Sequence, residues 1–289
     1  EAAFPNAQAL IFVGAAGIAV RAIAPYVKSK VQDPAVVVVD EKGQFAIPIL
    51  SGHLGGANDL ARKIADLIGA CPVITTATDV NRVFAVDEWA KRQNCHVANP
   101  EGIKLVSGKL LSGKEVTVRC PWKIQGTPPE LVQPGEEMQD VNVDIYKTSQ
   151  EALCLVPRIA VLGVGCKKGT TREALEGAYQ RLLEKYSLFS QAVCRICSID
   201  LKKEEPGLLA FAQVHGWQLK TYSARELAAV PGEFSASGFV KSVTGVDNVC
   251  ERSALLGSGG SLIIKKNAGD GITMAVAVEP YASDWSYNE

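Results

Sequence analysis

Short apolar runs alternate along the chain with stretches of helical periodicity, and this order predicts strands and helices in turn. Leu60, Ile64, Leu67 and Ile68, for example, recur at helical spacing directly after an apolar run. The alternation predicts an α/β fold with two α/β lobes, whose mixed or mainly parallel sheets are flanked by helices. The predicted strands are 9–13, 35–40, 44–50, 72–76, 115–120, 159–164, 193–199, 218–222, 261–265 and 272–278. The predicted helices are 18–26, 58–68, 85–93, one that begins at Pro100 and ends near Gly108 to Gly113, 172–185, 206–215, 224–229 and 246–256.

One stretch between the two halves lacks this periodicity. Residues 121–150 are rich in proline and polar residues, which predicts the end of the first half and a linker. A new α/β unit begins at Arg158. Thr170 or Thr171 is expected to cap its first helix, and Glu173 stands at capping-box spacing from Thr170.

The composition narrows the class of protein. With 289 residues, 47% of them hydrophobic, the chain is long enough for two globular domains. A net charge of −1 gives no general electrostatic reason to expect nucleic acid or an anionic membrane as a partner. No apolar run reaches the length of a membrane span, and the first residues do not form a signal peptide, so we expect a cytoplasmic protein.

The eight cysteines do not suggest a metal site. Six stand alone, and Cys194 and Cys197 lie three apart on a predicted strand, where their side chains point to opposite faces. We therefore expect inert thiols, no metal-ligand cluster anywhere in the chain and no tightly bound zinc.

Residues 50–61 form the most informative segment, because a predicted strand turns there through three glycines into a helix. The backbone N–H groups at such a helix start are unpaired and can bind an anion. The turn also holds His53, whose side chain titrates near neutral pH, although a lone histidine is more often structural than catalytic. The candidate anion-binding positions are Gly52, Gly55, Gly56 and Ala57.

A second glycine turn follows the strand that begins near Ile159. Its glycines fit neither a dinucleotide-binding nor a P-loop motif, because Lys168 precedes Gly169. The turn could be plain surface or a polyanion contact, in which Gly165, Lys167, Lys168 and Thr170 would take part.

Other candidate substrate-binding residues lie mostly at predicted strand ends, where α/β proteins bind their ligands. Asp200 and Lys202 follow one strand, and Thr75 and Thr76 follow another, where their hydroxyls either cap the next helix or bind a ligand. Arg21 is either a surface arginine or a clamp for a substrate carboxylate.

Several blocks, in order, resemble the CbiG family, the cobalt-precorrin-5A hydrolases of anaerobic cobalamin synthesis. In the first half these are LSGHLGGANDLA, PVITTATDVN and FAVDEWA. In the second half they are VLGVGCKKGTTREAL, SIDLKKEEPGLLAFA, YSARELAAVPG and GVDNVCERSALL. The second half also resembles the CobE group of the aerobic pathway.

The resemblance implies a domain plan. An N-terminal domain of this family would span 1–80, a middle region with linker 81–150, and a C-terminal, CobE-like domain 157–289. Family members also carry a further strand and helix ahead of the segment that matches Ala9–Val13. If that opening is lacking, one sheet edge would be exposed.

The resemblance implies that water opens the ring-A δ-lactone of cobalt-precorrin-5A and that acetaldehyde is then lost, giving cobalt-precorrin-5B. No separate cofactor is expected, because the cobalt belongs to the substrate. We expect His53 to be the base that activates water, with backbone N–H groups around Gly55 to Ala57 stabilising the oxyanion. Ser51 is the alternative nucleophile, less favoured because it lacks a G-x-S-x-G elbow.

Two other functions compete with hydrolysis. The chain could be a non-catalytic carrier of corrinoid intermediates, for which no catalytic histidine is needed. A nucleotide-binding enzyme built on the second glycine turn is disfavoured by the spacing given above. Neighbouring enzymes of the pathway are candidate partners in either corrinoid role.

Overall fold

A computed structural model describes residues 4–29, 32–136, 140–148 and 151–286. Three sheets of four or five strands follow one another along the described chain, each with helices packed against it, and a two-stranded sheet joins its end to the middle. This architecture confirms the predicted α/β class. The 3-10 helices are Phe4–Asn6, Ala24–Tyr26, Ser190–Ala192 and Asp200–Lys202.

The first sheet carries the glycine turn. Its strands lie in chain order, the first pair parallel and the second pair an antiparallel hairpin as predicted. The first strand is an edge, on which Ile11 and Val13 are more than half exposed. The elements are β1 (Ala9–Val13), α1 (Ala16–Ile23), β2 (Ala35–Val39), β3 (Phe45–Leu50), α2 (Ala57–Ile68) and β4 (Cys71–Pro72), the last much shorter than predicted.

The buried face of α2 consists mainly of small residues. Ala57, Ala61 and Ala65 pack against the sheet, and Leu60 and Ile64 are partly buried beside them. Leu67 and Ile68 are exposed. These alanines recur every fourth residue, so they form one smooth stripe that lets the helix lie close to β2 and β3. The predicted helix is confirmed, with its first two large apolar residues against the core and its last two exposed.

The middle region has a sheet and a core of its own. The predicted linker at 121–150 contains three short strands, because their backbone groups pair with neighbouring strands in spite of the prolines. The strand order is β5-β10-β9-β6-β8. The elements are α3 (Ala77–Asn81), α4 (Val86–Arg92), β5 (Cys95–Val97), α5 (Gly102–Leu111), β6 (Val116–Arg119), β7 (Ile124–Gln125), β8 (Val132–Gly135), β9 (Val141–Val143) and β10 (Leu153–Pro157).

The third sheet has the order β13-β12-β11-β15-β14. Thr171, not Thr170, caps α6 by accepting a hydrogen bond from the backbone N–H of Ala174. The predicted helix 246–256 starts later, at Cys250. The elements are β11 (Ala160–Cys166), α6 (Arg172–Tyr186), β12 (Val193–Ile199), α7 (Pro206–Val214), β13 (Gln218–Tyr222), α8 (Ala224–Ala228), α9 (Gly238–Thr244), α10 (Cys250–Ser258), β14 (Ser261–Gly269), β15 (Ile272–Val278) and β16 (Ser283–Asp284).

The last described residues return to the middle region and fix α4. β16 pairs with β7, and the ring of Trp285 stacks on that of Trp89 with centroids 5.3 Å apart. The Trp89 indole N–H also donates to the backbone carbonyl of Asp284, at 2.6 Å. One face of α4 is therefore held firmly in a buried aromatic cluster.

In the part of the chain that the structure describes, no helix has both the length and the apolar character needed to cross a membrane.

Candidate functional site

The glycine turn closes on itself through backbone hydrogen bonds. Gly56 adopts a left-handed conformation (φ 82°) just before α2. Its N–H donates to the carbonyl of His53, and the N–H of Ala57 donates to the carbonyl of Ser51. The turn thereby presents the His53 side chain toward the start of the middle region.

His53 lies among three carboxylates. Its Nδ1 is 3.1 Å from Asp87 Oδ1, and its Nε2 is 2.8 Å from Asp79 Oδ2 and 3.5 Å from Glu88 Oε1. Asp79 is in α3, and Asp87 and Glu88 open α4. Only 9% of the His53 side chain is exposed, so these interactions are poorly screened by water. We call these four residues the His53 cluster.

The carboxylates change the protonation of the histidine. Burial lowers the pKa of His53, but the hydrogen bonds and negative charges of Asp87 and Asp79 outweigh burial and raise the pKa to about 9. These contacts favour the protonated imidazole. A base that activates water needs a neutral ring, and here both ring nitrogens face carboxylates, so the arrangement does not favour that role for His53, which stays a prediction.

The pKa values of two carboxylates in the cluster shift in opposite directions. Burial raises the pKa of Asp79, but hydrogen bonds from His53 and Arg62 outweigh it and hold the pKa below its usual value. The Asn58 amide also donates to Asp79, at 3.2 Å. Burial raises the pKa of Glu88, whose Oε1 accepts no hydrogen bond within the described chain. Glu88 is thus the least satisfied member of the cluster.

A cleft of about 630 Å³ borders the cluster. Asp79 and Glu88 line it, so the cluster and the cleft share a wall. Arg62, Arg82 and Arg92 also line the cleft. Arg62 is paired with Asp79 and Asp59, so Arg82 and Arg92 are the guanidinium groups that the cleft offers to carboxylates of a ligand.

The structure corrects two roles predicted for the turn. The Ser51 hydroxyl donates to the backbone carbonyl of Asp33 at 3.0 Å and is not among the recorded partners of the His53 ring, so it lacks the base that a serine nucleophile needs. The N–H groups of Gly56 and Ala57 are engaged inside the turn and are not free for an oxyanion. Gly52 and Gly55 are in the same turn, and the carbonyl of Gly52 accepts the N–H of Asn58.

Three other candidates of the first half stay away from the cleft wall. Thr75 is exposed, and the Thr76 hydroxyl accepts a hydrogen bond from Asn58 instead of capping α3. Arg21 is exposed in the last turn of α1.

In the second glycine turn, an internal carboxylate takes the place expected for a ligand. Buried Glu205 accepts the Gly169 N–H at 2.8 Å and the Lys202 ammonium at 2.8 Å. The Thr170 hydroxyl donates to the carbonyl of Lys167. Lys202 is therefore already paired, which contradicts its role as a free ligand contact.

The remaining candidates of that region differ in their exposure. Lys167, Lys168 and Asp200 are exposed at the surface. Gly165 is half-buried in β11, where an added Cβ would lie 2.6 Å from the Thr273 hydroxyl.

The residues that sequence reasoning missed are the partners of His53. Asp79 lies in the TTATDVN block, where only the threonines were considered, and Asp87 and Glu88 lie in FAVDEWA. The sequence did contain a signal for these partners. Two adjacent acidic residues stand at a helix start, next to a tryptophan, which is expected to be buried.

The sequence predicts no metal-ligand cluster, but the fold brings together one group of side chains that could hold an ion. Ligand atoms of His53, Asp79 and Glu88 all lie within 4.8 Å of one another, the one such group found among the described residues. The cysteines, all free, do not contribute to it.

Comparison with known proteins gives one consistent family. The profiles described as Cobalamin synthesis G N-terminal, Cobalamin biosynthesis central region and Cobalamin synthesis G C-terminus match residues 1–79, 84–161 and 160–277. A Salmonella typhimurium protein named cobalt-precorrin-5A hydrolase is 37% identical over 96% of this chain and 83% of its own. A protein of the same name from Priestia megaterium is 32% identical, over 96% and 80%. Protein CobE of Sinorhizobium sp is 32% identical over 40% of this chain and 78% of its own.

The close packing of the glycine turn predicts the effect of adding a methyl group. In Gly55→Ala, the new Cβ would lie 2.3 Å from the Ser51 Cβ and 2.7 Å from the Ser51 carbonyl oxygen, so the turn must open. We expect a loss of about 2 kcal/mol or more in the free energy of unfolding. Gly108→Ala is the matched control, because nothing lies within 4 Å of its Cβ. Urea denaturation measures both, and equal stability of the two variants would contradict the described turn.

The raised pKa of His53 predicts how stability depends on pH. Since the pKa rises from 6.5 to about 9 on folding, the stabilisation is complete below pH 6.5 and is lost as pH rises through about 9. Relative to His53→Asn, protein stripped of divalent ions should be more stable at about pH 6 than at about pH 10 by about 2–3 kcal/mol. Urea denaturation at both pH values measures the difference. A difference that does not change with pH would show that the imidazole is not held by the carboxylates.

Proposed function

The chain belongs to the cobalamin synthesis G family, and on that premise we propose that it is a cobalt-precorrin-5A hydrolase. The observation that carries the proposal is the 37% identity, over 96% of this chain, to a protein of that name. A second relative of the same name agrees over the same share of the chain.

In the proposed reaction, water opens the ring-A δ-lactone of cobalt-precorrin-5A, and the two-carbon fragment of the adjacent methylated meso carbon then leaves as acetaldehyde. Cobalt-precorrin-5B is the product. Water is the co-substrate, and the cobalt is part of the substrate.

The cleft beside the His53 cluster is the proposed binding place for the lactone end of the macrocycle. A corrinoid intermediate carries many carboxylates, and Arg82 and Arg92 offer guanidinium groups that bind carboxylates with two parallel hydrogen bonds. Arg62 donates to Asp79 and to Asp59, so it is held at the cleft wall.

Glu88 takes over the role first expected of His53. Its Oε1 has no hydrogen-bond donor and its side chain lines the cleft, so it can accept the proton of an attacking water. Burial raises the pKa of Glu88, which makes the carboxylate a stronger base than an exposed one. His53 holds the carboxylates of Asp79 and Glu88 in place. The Arg62 cation offsets the negative charge that develops on the lactone carbonyl oxygen.

A non-catalytic carrier is the second candidate, supported by the likeness to protein CobE. The two functions differ in one observable, because only a hydrolase releases acetaldehyde.

Incubation with cobalt-precorrin-5A, followed by an acetaldehyde assay, tests the proposal. The protein should release acetaldehyde, and Glu88→Gln and His53→Asn should each lower the rate by roughly two to four orders of magnitude. Glu204→Gln is the matched control, since that carboxylate is exposed and paired only loosely with Lys203.

The two classes of outcome separate the candidate functions. Loss of rate in both cluster variants with full activity in Glu204→Gln supports the hydrolase and its site. Corrinoid binding without any acetaldehyde would support the carrier instead.

The exposed lysines of the second glycine turn give a further test. Changing Lys167 and Lys168 together to Ala should weaken corrinoid binding at low salt, with a loss that shrinks at high salt because the contacts are exposed charges. Absorbance titration of the coloured corrinoid measures the affinity. Unchanged binding at low salt would show that this turn is ordinary surface.

A further inference from the structure

One buried oxygen of the His53 cluster has no hydrogen-bond partner. Glu88 Oε1 is shielded from solvent, and only 8% of the Glu88 side chain is exposed. The atom lies 3.5 Å from His53 Nε2, which already lies 2.8 Å from Asp79 Oδ2. A carboxylate oxygen that is buried without a hydrogen-bond donor costs free energy, and the His53 ring at 3.5 Å does not donate to it within hydrogen-bonding geometry.

The proton on the histidine cannot supply that partner. When Nδ1–H donates to Asp87, the other ring nitrogen faces Asp79 and Glu88 together. A single proton on Nε2 lies along one hydrogen bond and can satisfy Asp79 but not Glu88 as well. A cation placed between the three atoms would contact all of them.

We propose that His53 Nε2, Asp79 Oδ2 and Glu88 Oε1 bind a first-row divalent metal ion. Two ligands that are each about 2.1 Å from one ion lie roughly 3.0–3.4 Å apart. The distances from Nε2 to the two oxygens, 2.8 and 3.5 Å, already lie near that range. All three ligand atoms lie within 4.8 Å of one another, so shifts of the side chains, without a change of fold, would bring them onto one ion.

The surrounding residues fit an ion as well. Metal-bound histidines usually donate their other N–H to a carboxylate, which is the position of Asp87. Around a neutral imidazole, the three carboxylates exceed the single guanidinium of Arg62 by two negative charges, which one divalent ion balances. Imidazole combined with two carboxylates suits Zn²⁺, Mn²⁺ or Fe²⁺ better than a soft or an all-oxygen ion.

This metal site deepens the proposed function and rests on it for its chemistry. Asp79 and Glu88 line the cleft, so coordination positions left open on that side can hold water. Bound to the ion, that water would lose a proton to solvent, and its oxygen would form a bond to the lactone carbonyl carbon. The bond from this carbon to the ring oxygen then breaks, and the departing alkoxide takes up a proton. Glu88 would serve as a ligand in this form, and the ion would acidify the water.

The test of binding uses the full chain, first stripped with a chelator and dialysed. Calorimetric titration with Zn²⁺ alone, and separately with Mn²⁺ alone, should show one ion bound per chain for at least one of the two metals. Glu88→Gln should weaken binding at least tenfold, and Asp87→Asn by roughly tenfold or more through the orientation of the imidazole. Glu204→Gln, an exposed control, should bind as the parent does.

X-ray absorption of the zinc-loaded parent keeps the test independent of how the variants fold. It should show one imidazole nitrogen with oxygen ligands and no sulfur. A sulfur ligand, or equal zinc affinity in a folded Glu88→Gln protein, would overturn the proposal, and so would failure of the parent to bind either ion.

The acetaldehyde assay separates this proposal from the proposed function. Chelated protein that binds neither ion and still releases acetaldehyde would remove the metal site and leave the hydrolase. Metal bound through His53 and Glu88, without acetaldehyde release, would leave the metal site and remove the hydrolase.

Discussion

Three carboxylates buried side by side repel one another. The positive charge of the His53 imidazole between them allows α3 and α4 to contact the glycine turn. Asp79, Asp87 and Glu88 all face one imidazole in a setting where water screens poorly. Without that positive charge, the desolvation of each carboxylate would add to their mutual repulsion and destabilise the contact between these helices and the turn. The charge between the carboxylates thus joins the first sheet to the middle region at the place where the cleft opens.

The position of α4 shows how the fold brings the acidic pair to the histidine. Trp89 enters the aromatic core and stacks on Trp285 near the other end of the chain. On a helix, Asp87 and Glu88 lie on a different face from the core-facing part of Trp89, and here they point to His53. The apolar face therefore determines the position of α4, and α4 determines the positions of the two carboxylates. The packing of the aromatic core thus offsets part of the free-energy cost of burying these carboxylates.

The sequence predicted most elements because their signals are local. Strand-sized apolar runs, glycine turns and helical periodicity each fall within a dozen residues, and β2, β3 and α6 follow them closely. The strands inside 121–150 were missed because their pairing partners, not their own residues, define them. His53 was found in the glycine turn, but its carboxylates are 26 and more residues away, and the sequence gives no distance between them.

The two glycine turns resemble one another in sequence and differ in what occupies them. In the second turn, the Glu205 carboxylate of this chain accepts the Gly169 N–H and pairs with Lys202, so an internal anion already fills the position that a ligand carboxylate would need. In the first turn, backbone carbonyls satisfy the N–H groups of Gly56 and Ala57, and the histidine side chain is left to face acidic groups. The second turn therefore presents the exposed Lys167 and Lys168, whereas the first presents the ionisable groups of the His53 cluster beside the cleft.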